Sequence, residues 1–378
     1  MNRILIVLLL FAFSFSAVAQ VSPQKQLFGA AISRDVPAEK YVWNWRDAVL
    51  LKAFTDIYRT ESESREQIAE YVSLAMTRLV PKAHGVHPNG VASAVGLAFL
   101  KEIGLSTSET DKALEKVLMQ YRNIVRSAGG ACSHRAGVVE LWDDTVYMIG
   151  LTLIGSYKAT GDISYVEEFA DQVLAHADHL YDPQTGFWYH GWAESSFPAE
   201  DACSQYGWNA NPAHRNNEFW GRGNGWIAMA LVDLLEVLPT NHPNYAEVKD
   251  MYVGMMQTLL GLQDKATGHW YQLPARPNDT ARGNYIESSA TVMFGYSLAK
   301  GERLGLLKGG KWRKAAEKAW EGVKTHSLRG GEGQRITLGN VCAGTCIGER
   351  DYYYARPTTE GESFADGALL LFAYEMEK

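Results

Sequence analysis

The chain is poor in the residues and patterns that announce metal, nucleotide or phosphate chemistry. Its four cysteines, Cys132, Cys203, Cys342 and Cys346, lack zinc-finger spacing. No HExxH pattern, P-loop or GxSxG elbow occurs, and Gly223-Asn224-Gly225 has no preceding strand of the kind a dinucleotide fingerprint requires. No metal or cofactor is therefore expected. A basic surplus is also missing: 43 acidic against 36 basic residues give a net charge of −7, which argues against a nucleic-acid partner. No Pro/Ser-rich linker or charge block divides the chain, so residues 20–378 are expected to form one large domain. Strand-forming runs are scarce, which disfavours a β or doubly wound fold.

The long apolar run that does occur lies at the start. Arg3, the stretch from Ile4 to Phe15, and Ala17-Val18-Ala19 together have the charge, length and small-residue cleavage site of a secretory signal peptide over residues 1–19. The run is too short for a membrane anchor, and no cysteine follows it to carry a lipid. An exported protein, periplasmic or secreted, is expected to begin near Gln20. Such a compartment permits disulfides; four cysteines allow three pairings, and a Cys342–Cys346 loop and a Cys132–Cys203 bridge are equally open.

What fills the chain is a repeated helical hairpin. Apolar helices are expected from about Trp43 through Phe54, Gly90–Leu100, Asp144–Tyr157, Asn224–Leu238, Glu287–Ala299 and Phe364–Glu375. Amphipathic partners follow the first five at Ser62–Met76, Ser108–Ser127, Ser164–Leu180, Tyr245–Gln263 and Trp312–His326. The first of each pair is apolar nearly all round, while the second carries Glu and Lys along one face. An inner and an outer ring produce that difference, so the expected fold is all-α, an (α/α)6 barrel. Asp182-Pro-Gln-Thr-Gly-Phe-Trp-Tyr189 recurs as Asp264-Lys-Ala-Thr-Gly-His-Trp-Tyr271, a turn followed by an aromatic return after two outer helices.

If the inner helices start at one end, their N-termini gather in a bowl whose amide hydrogens and dipoles favour an anion. Trp142-Asp143-Asp144-Thr145-Val146-Tyr147-Met148 stands there. The paired acids can simply cap the helix, but a carboxyl set against Trp142 and Tyr147 can also stay protonated and act as an acid. In Trp220-Gly-Arg222-Gly-Asn-Gly-Trp226, closely spaced glycines admit a ligand near the backbone, and Arg222 between two tryptophans can fork onto a carboxylate. The competing structural role is a Gly-rich helix entry with its rings in the core. His190, His134 and Arg135 are weaker candidates, and Glu287 with Ser288 and Ser289 is expected to cap its own helix.

These motifs, with Glu287-Ser288-Ser289 and the tail from Gly344-Thr345 through Tyr353-Tyr354, Arg356-Pro357 and Gly367–Leu370, resemble the unsaturated glycuronyl hydrolases of glycoside hydrolase families 88 and 105, the second more closely. The resemblance implies the (α/α)6 barrel and a vinyl-ether hydration. An acid protonates C4 of a 4,5-unsaturated uronic acid at the non-reducing end of an oligosaccharide, water adds at C5, and the hemiketal opens. By matching, Asp144 is the acid and His190, Arg222 and Trp226 are substrate-binding positions; Trp142, Asn89 and His134 join them as substrate-binding candidates from their own chemistry and place in the bowl. Members usually carry a second acid on an earlier inner helix. Here no carboxylate lies between Ala83 and Lys101, and Asn89 stands in that region. Two other readings are kept. One is an inverting glycosidase pairing Asp144 with Glu287 or Glu218, and the other is a non-catalytic sugar-binding protein.

Overall fold

The computed structural model describes residues 27–29, 31, 38, 40–195, 203–330 and 336–378; the expected leader, residues 1–19, lies outside them. Six helical positions form the inner ring: α1 (Trp45–Thr60), the pair α3 (Pro88–Ala92) and α4 (Val95–Glu102), α6 (Asp143–Thr160), α8 (Gly221–Val237), α10 (Ser288–Arg303) and α13 (Ser363–Glu377). Each packs on the next, and α13 closes the ring against α1. Outside them lie α2 (Arg65–Leu79), α5 (Ser108–Arg122), α7 (Ser164–Leu180), α9 (Tyr245–Leu262) and α11 (Lys311–His326), each following an inner helix. The fold is the expected helical barrel.

Burial separates the rings as the side chains require. On α6 an unbroken run from Thr145 to Ser156 is buried, whereas α11 buries Trp312, Ala315, Ala316, Ala319, Trp320 and Val323, the i, i+3, i+4 stripe of a one-sided helix. Local signals set the ends. Asn44 Oδ1 accepts from Asp47 N at the start of α1, Thr107 and Thr110 close a capping box on α5, and Gly161 ends α6 at φ 73°.

Two expected helices differ. The Gly90–Leu100 helix breaks at Ser93 and Ala94; Ser93 Oγ reaches the Asn44 carbonyl 2.9 Å away, and Thr152 of α6 donates to the Val91 carbonyl. The helix expected to reach Ser127 stops at Arg122, after which residues 124–134 turn back through a bridge between Arg126 and Cys132. The repeated motif forms the same turn twice. Gly186 and Gly268 take φ of 74° and 75°, and their amides donate to the carbonyls of Asp182 and Asp264.

Short strands finish the site end. Strand β1 (Glu140–Trp142) pairs antiparallel with β2 (Gly191–Ala193), so the residues just before α6 lie beside those just after His190. Strands β3 (Leu328–Arg329) and β4 (Thr337–Leu338) form one pair, and β5 (Val341–Cys342) with β6 (Thr358–Thr359) another. Helix α12 (Arg350–Tyr354) lies between β5 and β6. At the far ends of the inner helices the barrel is closed by buried charge: Lys300 Nζ lies 2.6 Å from Asp233 and 2.8 Å from Glu236, and Lys52 contacts Asp233 at 3.3 Å and also pairs with Asp56. Against the cost of burial, Asp233 and Glu236 hold the Lys300 ammonium above its ordinary pKa.

Candidate active site

At the N-terminal end of the inner ring a cleft of about 290 Å³ opens between Trp45, Arg46, His87, Asn89, His134, Arg135, Trp142, Asp144 and the loop Gly344–Cys346. Three inner-helix N-termini, those of α1, α3 and α6, supply part of its wall. Trp142 and Trp45 are among the residues that line the cleft. Trp142 is stacked by His134 at 4.3 Å and covered by the Arg135 guanidinium at 5.1 Å, and its Nε1 donates to Glu140 Oε1 at 2.6 Å. The Arg46 guanidinium lies over Trp45 at 5.3 Å.

Among the described residues lining this cleft, Asp144 is the only carboxylate. It stands in the first turn of α6, whose N-cap, Trp142, makes no side-chain capping bond. The paired acids are therefore not spent on capping. Asp143 is fully buried and neither of its oxygens has a hydrogen-bond donor. Burial first, then the charge of Asp144, push its carboxyl well above the ordinary value. Burial also works against ionisation of Asp144, but His190, whose Nε2 stands 3.3 Å from Asp144 Oδ2, outweighs it and moves Asp144 down.

His190 is itself fixed by a network. Its Nδ1 lies 2.8 Å from the Tyr353 hydroxyl, and that oxygen receives Gly348 N at 3.3 Å and Asn216 Nδ2 at 3.4 Å. With both lone pairs used, the Tyr353 hydroxyl hydrogen points to Nδ1, so neutral His190 carries its own hydrogen on Nε2, towards Asp144. Burial lowers the His190 pKa and favours this neutral form. Asp143, Asp144 and His190 bring three potential ligand atoms within 4.8 Å of one another. In that tautomer Nε2 points a hydrogen, not a lone pair, at the two carboxyls. His134 and His87 are also held neutral by burial, His134 well below its ordinary value and His87 at about 4. Arg46 and Arg135 remain as the cationic side chains of the wall.

The expected substrate positions divide. Asn89, His134 and Trp142 line the cleft with Asp144, and His190 touches Asp144 from behind. Arg222 does not reach the cleft. Its guanidinium is buried, lies over Trp220 and Phe364 at 4.4 and 4.9 Å, and donates to the carbonyls of Cys342 and Ala343. Trp226 is likewise a core ring, fully buried and stacked on Tyr147 at 5.1 Å. In this structure both side chains pack in the interior beside the cleft loop and the acid-pair helix. Gly223 also has a different reason from ligand approach: a Cβ there would lie 2.2 Å from Asp143 Oδ2.

The loop after β5 is held by three such ties. Besides Arg222, Glu287 accepts from Cys342 N at 2.8 Å while capping α10 through Ser289 and Ala290, which is the capping role expected of it. The third tie is a disulfide, Cys203–Cys346, with Cα atoms 5.6 Å apart. Neither pairing singled out from the sequence forms; Cys132 is a buried thiol raised to about 12 by burial, and Cys342 is free and buried. Glu218 is held by Arg276 and by Arg350 at 3.0 Å, away from the cleft. Tyr353 entered the sequence reading only within the tail motif. Its bond to His190 crosses 163 positions, and no local pattern signals it.

The starts of α1, α3 and α6, two tryptophans and the guanidinium groups of Arg46 and Arg135 thus meet at one cleft of the helical barrel. Residues 29–378 match the model of Glycosyl Hydrolase Family 88, and the chain belongs to that family of glycoside hydrolases. It is 24% identical to the unsaturated rhamnogalacturonyl hydrolase YesR of Bacillus subtilis (strain 168), over 86% of this chain and 88% of that protein. It is 30% identical to an unsaturated 3S-rhamnoglycuronyl hydrolase of Alteromonas sp. (strain LOR), over 48% of this chain and 40% of that protein. A family 105 glycoside hydrolase of C. acetobutylicum ATCC 824 has the same fold, with a TM-score of 0.80 at 24% identity, covering 94% of this chain and 99% of the other.

Proposed function

We propose that the enzyme removes a 4,5-unsaturated uronic acid from the non-reducing end of short, lyase-made oligosaccharides, with rhamnose next in line. The observation that carries this reading is that Asp144 is the single carboxylate among the described residues of the cleft. Cleavage of a saturated glycoside ordinarily needs two carboxyls flanking the bond. Hydration of a vinyl ether needs one acid that first gives a proton and then takes one from water. Asp144 fills that role: it protonates C4, the carboxylate left behind draws a proton from water as oxygen adds to C5, and the hemiketal opens to release the neighbouring sugar. Trp45 and Trp142 bound the space for the sugar ring, and Arg46, Arg135 and the helix N-termini receive the uronate carboxylate.

Rhamnose as the neighbour is supported by the names of two relatives, a rhamnogalacturonyl and a 3S-rhamnoglycuronyl hydrolase. Rhamnogalacturonan and ulvan fragments both have this form. The leader-like start and the Cys203–Cys346 disulfide support an exported, periplasmic or secreted enzyme. The inverting-glycosidase reading loses support because Glu287 and Glu218 are committed elsewhere. The test is loss of the conjugated uronate's ultraviolet absorbance on each fragment set with wild-type enzyme and with Asp144→Asn. Loss that the variant abolishes supports the reading, and no loss from folded wild type overturns it.

A further inference from the structure

Asp143 is a buried acid with no assigned task. It is 0% exposed and cannot touch a substrate, and among the described residues neither oxygen has a hydrogen-bond partner. His190 Nε2 is 4.0 Å from Asp143 Oδ1 against 3.3 Å from Asp144 Oδ2. Room for the carboxyl is made by Gly223, where any side chain would collide with it. Leaving a buried carboxylate without donors is costly, whereas a carboxylic acid in the same place becomes a donor and needs only an acceptor. Asp144, the next residue, has a carboxylate oxygen within 4.8 Å of one of Asp143's and is the acceptor in reach.

We propose that Asp143 is a positioning residue that stores the proton Asp144 delivers, one hydrogen being shared between the two carboxyls. The inference rests on the vinyl-ether reading of the site and deepens it. In the empty site the hydrogen sits on Asp143 and Asp144 is ionised, with His190 Nε2–H 3.3 Å from its Oδ2. As C4 of the vinyl ether takes up a proton, the single shared hydrogen passes from Asp143 to Asp144 and on from Asp144 to C4. Water then adds at C5 and gives one proton back to the pair, which ends as it began. Two close buried carboxyls cannot both ionise, so the pair retains one proton where a lone Asp144 beside a hydrogen-bond donor would have lost it.

The groups that face the pair are consistent with one retained proton. His190 and Glu140 approach from the strands, Tyr353 from α12, His134 from the turn before β1 and Arg222 from α8. His190 and His134 are neutral, and the Arg222 guanidinium is turned to the carbonyls of Cys342 and Ala343, so no close cation forces the second carboxyl to ionise.

The test is the pH–rate profile of full-length Asp143→Asn on an unsaturated uronyl disaccharide that wild type cleaves. The amide donates to Asp144 and cannot yield a proton, so Asp144 stays ionised to lower pH. The alkaline limb of kcat is expected to move at least about one unit toward acid, with about a tenfold loss near neutral pH and little change in KM. A variant with a wild-type profile, at whatever rate, overturns the proposal. If the variant is unfolded or inactive, the infrared spectrum of wild type labelled with ¹³C-aspartate decides instead. A protonated aspartic carbonyl band at neutral pH supports the shared proton, and its absence overturns it. That spectrum needs no substrate, so it stays informative even if wild type fails on every unsaturated fragment, a result that counts against the activity and not against the pair.

Discussion

The carboxyl of Asp143 occupies the space where a side chain on residue 223 would begin, a Cβ there falling 2.2 Å from Oδ2. Two motifs far apart in the chain, the acid pair of α6 and the Gly-rich entry of α8, are thus one packing unit. The glycine admits an acid of the protein itself, and the acid stands directly behind the carboxylate that faces the cleft.

Arg222→Met removes the donors that pin the carbonyls of Cys342 and Ala343. Stability is expected to fall by roughly 2–3 kcal/mol, since buried hydrogen bonds to a charged group are lost, and KM to rise as Gly344 and Thr345 shift. Arg222→Lys is expected to recover only part of either effect. Thermal denaturation alongside steady-state kinetics checks this; a variant of wild-type stability with KM alone impaired would show instead that the guanidinium contacts substrate.

Glu287→Ala strips the cap of α10 and the partner of Cys342 N. About 1–2 kcal/mol of stability is expected to go with the cap, while kcat stays within a few-fold of wild type. Denaturant unfolding and kcat measure the two separately. A loss of several orders in kcat without destabilisation would restore Glu287 as a second catalytic carboxyl.

Replacing Cys203 and Cys346 together by serine opens the link between the segment after β2 and the cleft loop. A loss of about 2–4 kcal/mol is expected, with a raised KM and a kcat near wild type, because Asp144 and His190 are held by other elements. Unchanged stability in denaturant would show that the bridge constrains neither state.

The barrel was legible because inner and outer helices bury different shares of their surface, and that difference is written in their apolar periodicity. The errors came where tertiary partners decide. Ser93 and Thr152 break a continuous apolar helix into α3 and α4 through carbonyls that no local pattern identifies. The cleft residues at helix starts, Trp142, Asp144 and Asn89, were legible because position within the hairpin places them. Arg222 and Trp226 were not. Whether a guanidinium between two tryptophans faces a ligand or a loop carbonyl depends on Cys342, 120 positions away.

The most direct test is the absorbance of the conjugated uronate during turnover of lyase-made rhamnogalacturonan and ulvan fragments, wild type against Asp144→Asn. Loss of absorbance with wild type on at least one set, reduced in the folded variant by about 10³-fold or more, is the expected result. A folded Asp144→Asn that cleaves as fast as wild type would contradict the assignment of Asp144 as the acid.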